Sequence, residues 1–293
     1  MPPWKLLALI VACCALLGAG SPSAGHLLGL KRNSPTDLEI TGMIPSVVPG
    51  TSRYISYETL LSLPQVTVTV TGDDNFAEIS REKIMVTGVY LNVLAKYLSA
   101  LDGSDLLSAV CSDGYRANYS HDYVVAHRPI LVLKIEGRPV RSWVAQSHSD
   151  DFGTYFITHA IFKSSFTVLS QQETPQVPVD IVKLDFSSTR VVFGAIAPHG
   201  DYAPDSQVME GYRIAQQHCY RCHNMGDYGG TKARVTWQQI GAYAASPSTF
   251  EAFILNPRSI DHKVARPPHP VFDDATTKAL QAYFQTFAKG KHP

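Results

Sequence analysis

Cys219-Tyr220-Arg221-Cys222-His223 places two thiols three residues apart, with an imidazole directly after the second. The cysteines fall about one helical turn apart, so both can form thioethers to the edge of one porphyrin while the histidine is carried beneath the iron. That spacing is the attachment signature of a c-type haem. A zinc half-site and a CxxC redox pair are the competing readings. Zinc needs a second Cys/His pair, and no other CxxC or HxxxH occurs in the chain. The expected cofactor is one covalent haem c, held by Cys219 and Cys222, with His223 as the proximal iron ligand.

The start of the chain agrees with this. Residues 1–24 carry one cation, Lys5, then the apolar run Leu6–Leu17, then small residues ending Ser21-Pro22-Ser23-Ala24. That order reads as a Sec-type secretory signal peptide. A membrane anchor competes, although the run falls short of the roughly 20 residues a bilayer requires. Ile10-Val11-Ala12-Cys13 also resembles a lipoprotein processing site. Covalent haem attachment takes place outside the bacterial cytoplasm in the systems the Cys219–His223 motif resembles. The expected location is therefore periplasmic, with membrane attachment only if the signal is uncleaved or lipidated.

Of the five cysteines, Cys13 and Cys14 lie in the signal and Cys219 and Cys222 are committed to haem, which leaves Cys111 without a disulfide partner. In Ala109-Val110-Cys111 it reads as a small core side chain, with a metal-binding thiolate as the sharper alternative. The 293 residues are 45% hydrophobic and can bury two cores. Twenty-five basic residues balance 25 acidic ones, with no basic run, so no nucleic-acid partner is expected.

Residues 198–204, rich in Pro and Gly, read as a linker to a second domain over 205–293. There Asp205 or Ser206 caps a helix with Val208, Tyr212 and Ala215 on one face, Ser246-Pro247 starts another, and Asp273-Asp274 opens the last. Gly211-Tyr212, Cys219–His223, Ile254-Leu255-Asn256-Pro257, Pro267-Pro268-His269-Pro270 and Ala279–Phe284 together resemble the single-haem class I cytochrome c family. The resemblance implies a small all-α fold and a Met distal ligand directly before the first Pro of the loop. Arg266 holds that place, and a guanidinium offers no lone pair to iron. His269 is the leading distal candidate and His262 the weaker one; an open, five-coordinate iron is the alternative. Met225 lies too close to His223 to reach across the ring.

Between a leader at 25–52, without clear periodicity, and the linker, residues 53–197 mix short strands and helices. Ser56 caps a helix that Pro64 stops, Val66–Val70 alternates as a half-buried strand, and Leu91, Leu94, Ala95 and Leu98 form a helical face. Further strands are expected at 107–111, 130–136, 154–160 and 179–186, with Glu136–Pro139 as a turn. Tyr54–Pro64, Thr87–Leu94, and Ser112-Asp113-Gly114-Tyr115 with Pro129–Val132 resemble the molybdopterin-binding domain of the sulfite-oxidase family. The fold class implied is an α+β sulfite-oxidase-like domain followed by the all-α cytochrome c domain.

The family's metal-ligating Cys lies between the first strand and the Gly-Val-x-Leu helix, and here residues 70–76 contain none. A signal without arginine also differs from the twin-arginine signals that export preloaded pterin enzymes. Molybdopterin is therefore not expected. His121, His127, His148 and His159 stand at no metal-ligand spacing and read as surface or loop residues; Tyr115, Arg116 and His121 could line a vestigial pocket. The function expected is single-electron transfer through the haem, with the first domain as a docking module for a periplasmic redox protein or respiratory complex. The alternative is a molybdenum-dependent dehydrogenase passing electrons to its own haem. Substrate and catalytic residues are not legible in either case.

Overall fold

The computed structural model describes residues 27–71, 83–147, 152–260, 262 and 272–288. Residues 1–26, on which the expected signal falls, the stretch 72–82, His148, and the loop carrying Arg266 and His269 lie outside the described residues.

In chain order the first elements are β1 (Leu38–Gly42), β2 (Arg53–Ile55), α1 (Tyr57–Ser62), β3 (Val66–Thr71), β4 (Lys83–Tyr90), α2 (Leu91–Tyr97), β5 (Leu106–Cys111) and β6 (Arg116–Ser120). There follow α3 (His121–His127), β7 (Ile130–Ile135), β8 (Arg138–Pro139), α4 (Val140–Ser147), β9 (Phe156–Thr158), β10 (Thr167–Val168), β11 (Gln171–Gln172) and β12 (Ile181–Ser187). The remainder is α5 (Thr189–Gly194), α6 (Gln207–His218), β13 (Asn224–Met225), β14 (Tyr228–Gly229), α7 (Trp237–Ala244), α8 (Pro247–Leu255) and α9 (Asp274–Phe284).

The architecture is α+β, with two five-stranded sheets. One runs β2-β1-β12-β5-β6, antiparallel except for the parallel pair β1–β12. The other runs β3-β4-β7-β8, with β9 also on β7, and is antiparallel throughout. Strand β5 is flanked on both sides and buried along its length, so its one deep hydroxyl, Ser108, needs a partner and donates to Asn118 Oδ1 at 2.6 Å. Leu60 of α1 and Leu91 and Leu94 of α2 join a core drawn from both sheets, with the two helices against β7 and β4, and α4 packs on the second sheet through Val140, Trp143 and Val144.

Two expectations change here. Residues 25–52 are not a loose leader: β1 lies inside the sheet, with Leu38 and Ile40 buried against β12 and β2. The alternation Leu38-Glu39-Ile40-Thr41 offers only two apolar residues between turn formers. What fixes the strand is non-local: pairing to β12, and Thr41 Oγ1 donating to Asp185 at 2.6 Å. The seam between the halves also falls before the exposed 198–204 stretch. Val192 and Ile196, around α5, pack into the helical cluster of Ile214, Tyr220, Trp237, Phe250 and Tyr283.

That helical cluster does not close on itself. Leu106 of β5 and Val168 of β10 belong to the same contiguous core. Among its helices, α6 and α9 cross closely because Gly211 has no Cβ; one placed there would sit 2.0 Å from the Ala279 carbonyl oxygen. Among the described residues, no helix is long and apolar enough to cross a membrane.

Candidate functional site

Helix α6 begins where Ser206 Oγ accepts the Met209 N–H, and it delivers the chain into the Cys219–His223 turn. The Cys219 N–H still bonds the Ala215 carbonyl, while the Cys222 and His223 N–H groups both return to the Cys219 carbonyl, at 3.1 and 3.0 Å. One further turn of helical backbone therefore carries both thiols and the imidazole. The residues between the cysteines diverge. Tyr220 points into the helical core, donates from its hydroxyl to the Val192 carbonyl at 2.8 Å, and meets Trp237 edge-on. Arg221 turns toward the sheet half.

His223 is oriented by the main chain. Its Nδ1 lies 2.6 Å from the Val235 carbonyl, and since a carbonyl can only accept, Nδ1 carries the proton and Nε2 keeps its lone pair. Burial pushes the imidazole pKa down against the upward pull of that hydrogen bond, which favours the neutral, ligating form. Phe253 stands edge-on at 6.3 Å, backed by Tyr243 at 5.2 Å. Both thiols are free of disulfides. Burial, with Cys222 beside it, raises Cys219 to about 12, and burial also raises Cys222 against the opposing pull of Lys232 and Arg221.

The turn is braced by a glycine pair. A Cβ on Gly230 would sit 1.9 Å from the Arg221 carbonyl oxygen, and Gly229 takes φ +84° where a Cβ would meet the His223 carbonyl at 2.5 Å. The sequence reading missed both, although a Gly-Gly doublet shortly after the motif was there to be noticed. Val235 was also missed, because a backbone acceptor leaves no side-chain signal.

The sheet half closes the other side. The Arg116 N–H donates to the Arg221 carbonyl at 2.9 Å, and the Thr231 N–H donates to the Gly114 carbonyl at 2.8 Å. Lys232 Nζ pairs with Asp113 Oδ2 at 2.6 Å, half exposed on both sides. Asp113-Gly114 is thus the turn that receives the Cys219–His223 segment. Tyr115 and Arg116 take part in this seam rather than in a pocket with His121, which lies exposed at the start of α3.

Cys111 is buried on β5, and burial, then Asp113 and Asp180, push its thiol up to about 12. A thiol so placed stays protonated, which suits the core reading. His262 is exposed in a turn. Among the described residues, no three His, Cys, Asp or Glu side chains gather as a metal site.

His127 and His159 correct the expectation of surface histidines. They are 5% and 6% exposed, and Tyr123 and Phe162 pack against both rings. Their spacing carried no such signal, because the contacts join α3 to the segment after β9. His127 Nε2 bonds Glu173 at 3.0 Å. The Tyr123 hydroxyl accepts the Gln176 N–H and lies 3.0 Å from His159 Nε2, while the buried Nδ1 has no partner.

Burial, then His127, holds His159 down at about 3. Between that value and the ordinary imidazole range near 6.5, the unfolded chain takes up a proton that the native one refuses, so stability falls on acidification. Denaturant titrations should show a loss approaching about 1.4 kcal/mol per pH unit between about 6 and 3 from this group. In His159→Gln that component of the slope should disappear; an unchanged slope would assign the acid sensitivity elsewhere.

No protein-family model matches the chain, and no curated protein matches it either. Among solved structures, it is similar to the crystal structure of the sulfane dehydrogenase SoxCD from Paracoccus pantotrophus, at 15% identity and a TM-score of 0.34. The likeness covers 55% of this chain and 41% of that one, so the chain spans about two fifths of that protein's length. Nothing about its chemistry follows from so partial a likeness.

Proposed function

We propose that the chain is a periplasmic electron-transfer protein built on one covalent haem c. The observation that carries this is the His223 imidazole, donating from Nδ1 to Val235 at 2.6 Å with Nε2 left to ligate, in the same turn as two free thiols. Cys219 and Cys222 would hold the group by thioether bonds and His223 by its iron. Once bound, a haem supplies reversible one-electron transfer.

The residues around the site have separable tasks in this reading. The Val235 carbonyl fixes the imidazole tautomer. Phe253 and Tyr243 shield the ring, and Tyr220 anchors the turn to the helical core. The sheet half is proposed as the docking module for a redox partner, the helical half as the small cytochrome c unit, and His269 or His262 as the distal ligand.

Metal analysis and absorption spectroscopy of the purified protein test the proposal together. Expected are about one iron and no molybdenum per chain, an alkaline pyridine spectrum of haem c type, and no near-infrared band of Met–iron ligation in the oxidised protein. Stoichiometric molybdenum, or a chain without iron after expression alongside a haem-attachment system, would overturn it.

A further inference from the structure

A cleft of about 580 Å³ opens between α3, the segment around β10 and β11, and α6. That volume suits a small organic molecule and exceeds the needs of a bare inorganic ion. It adjoins the Cys219–His223 turn through Arg221, which lines it.

The charges of the cleft sort by depth. At the mouth, Arg213 and Asp122 are both exposed, and Arg213 already donates to the Pro204 carbonyl. Deeper in, His127 and Glu173 satisfy each other at 3.0 Å, and Glu173 also accepts the Ser165 N–H at 2.7 Å. Arg221 is left over. Its guanidinium reaches the Tyr115 hydroxyl and Thr174 Oγ1 only at 3.4 and 3.3 Å, long for hydrogen bonds, and among the described residues no carboxylate pairs with it.

A guanidinium presents five N–H donors in a fixed planar fork, and with Arg221 only half-buried and making two long contacts, donors of that fork are left facing the cleft. The fork matches a carboxylate by two parallel hydrogen bonds. Beside it the walls turn apolar and aromatic, with Tyr123, Phe166 and Phe193 lining the same space.

We propose that this cleft binds a small organic carboxylate, its anionic head on Arg221 and its apolar body against Tyr123, Phe166 and Phe193. The site stands whether or not the haem reading holds, since none of its contacts involves iron. A ligand there would lie beside the Cys219–Cys222 turn, on the face that joins the two halves of the molecule.

Calorimetric titration of the purified full chain with sodium benzoate tests the proposal, with benzamide as the uncharged shape control and sulfate as the bodiless anion. Benzoate should bind one to one, and the two controls should bind at least about tenfold more weakly. Arg221→Gln should weaken benzoate by roughly tenfold or more, with Arg221→Lys intermediate. Because Arg221→Gln could disturb the neighbouring turn, Ala126→Trp provides a second arm: Ala126 is exposed on α3, lines the cleft, and its replacement fills the space without changing charge. It should block benzoate while leaving the thermal melt unaltered. Absence of benzoate binding at millimolar concentration would overturn the proposal, as would equal binding of benzamide or sulfate, or benzoate affinity untouched by Ala126→Trp.

Discussion

Replacing Cys219 and Cys222 together by alanine is expected to abolish covalent haem, with no haem-staining band after denaturing electrophoresis and no acid-stable haem in the polypeptide. Each thiol can form one thioether, so the single variants Cys219→Ala and Cys222→Ala should each retain at most one bond and lose most of the stained product. The control is His223→Gln, which keeps both thiols but removes the Nε2 donor that the Val235 hydrogen bond leaves free. It should separate attachment from ligation by shifting the spectrum more than the staining. Full staining of the double alanine variant would end the haem reading.

The second large effect is on the fold itself. Gly211 lies where α6 crosses α9, and a Cβ there would stand 2.0 Å from the Ala279 carbonyl oxygen and 2.8 Å from Tyr283 Cβ. The obstacle is backbone, so no rotamer change relieves it and the helices must separate. Overpacking of this kind costs about 3 kcal/mol, which lowers the melting temperature of Gly211→Val by on the order of 10 °C. Gly194→Ala in α5 is the matched control, because nothing lies within 4 Å of its added Cβ. That change should be neutral or slightly stabilising, since alanine narrows the unfolded ensemble. Equal melts for the two glycine variants would contradict the crossing.

Helix caps were the most legible part of the chain because their cause is local. Ser56, Ser206, Ser246 and Asp273 each accept an N–H three residues on. The alternation of Val66, Val68 and Val70 likewise reports its own half-buried strand. Helix α7 was readable but not read: Thr236 and Gln239 form a full capping box ahead of it. Helix α3 carries no apolar stripe to read, and β1 exists because of a partner strand far away in the sequence.

The candidate site divides in the same way. Two thiols and an imidazole at fixed spacing announce their chemistry from side-chain type alone. Their surroundings do not: the Val235 carbonyl is main chain, Gly230 acts by lacking atoms, and the hydrogen bonds from Arg116 and to Gly114 join residues far apart in sequence. The histidines err for a related reason, since burial of His127 and His159 is decided by Phe162 and Tyr123 folding over them.

Leu106 and Val168, which the sheet half contributes to the helical core, bear on how the molecule comes apart. Removing the first half takes away part of the second half's interior along with its neighbour. Val192 and Ile196 bind the halves in the same sense, since they sit before the exposed stretch at which a protease or a cloning boundary would naturally cut. The two halves are therefore expected to unfold in a single calorimetric transition, in which loosening of either is felt as lost stability in the other.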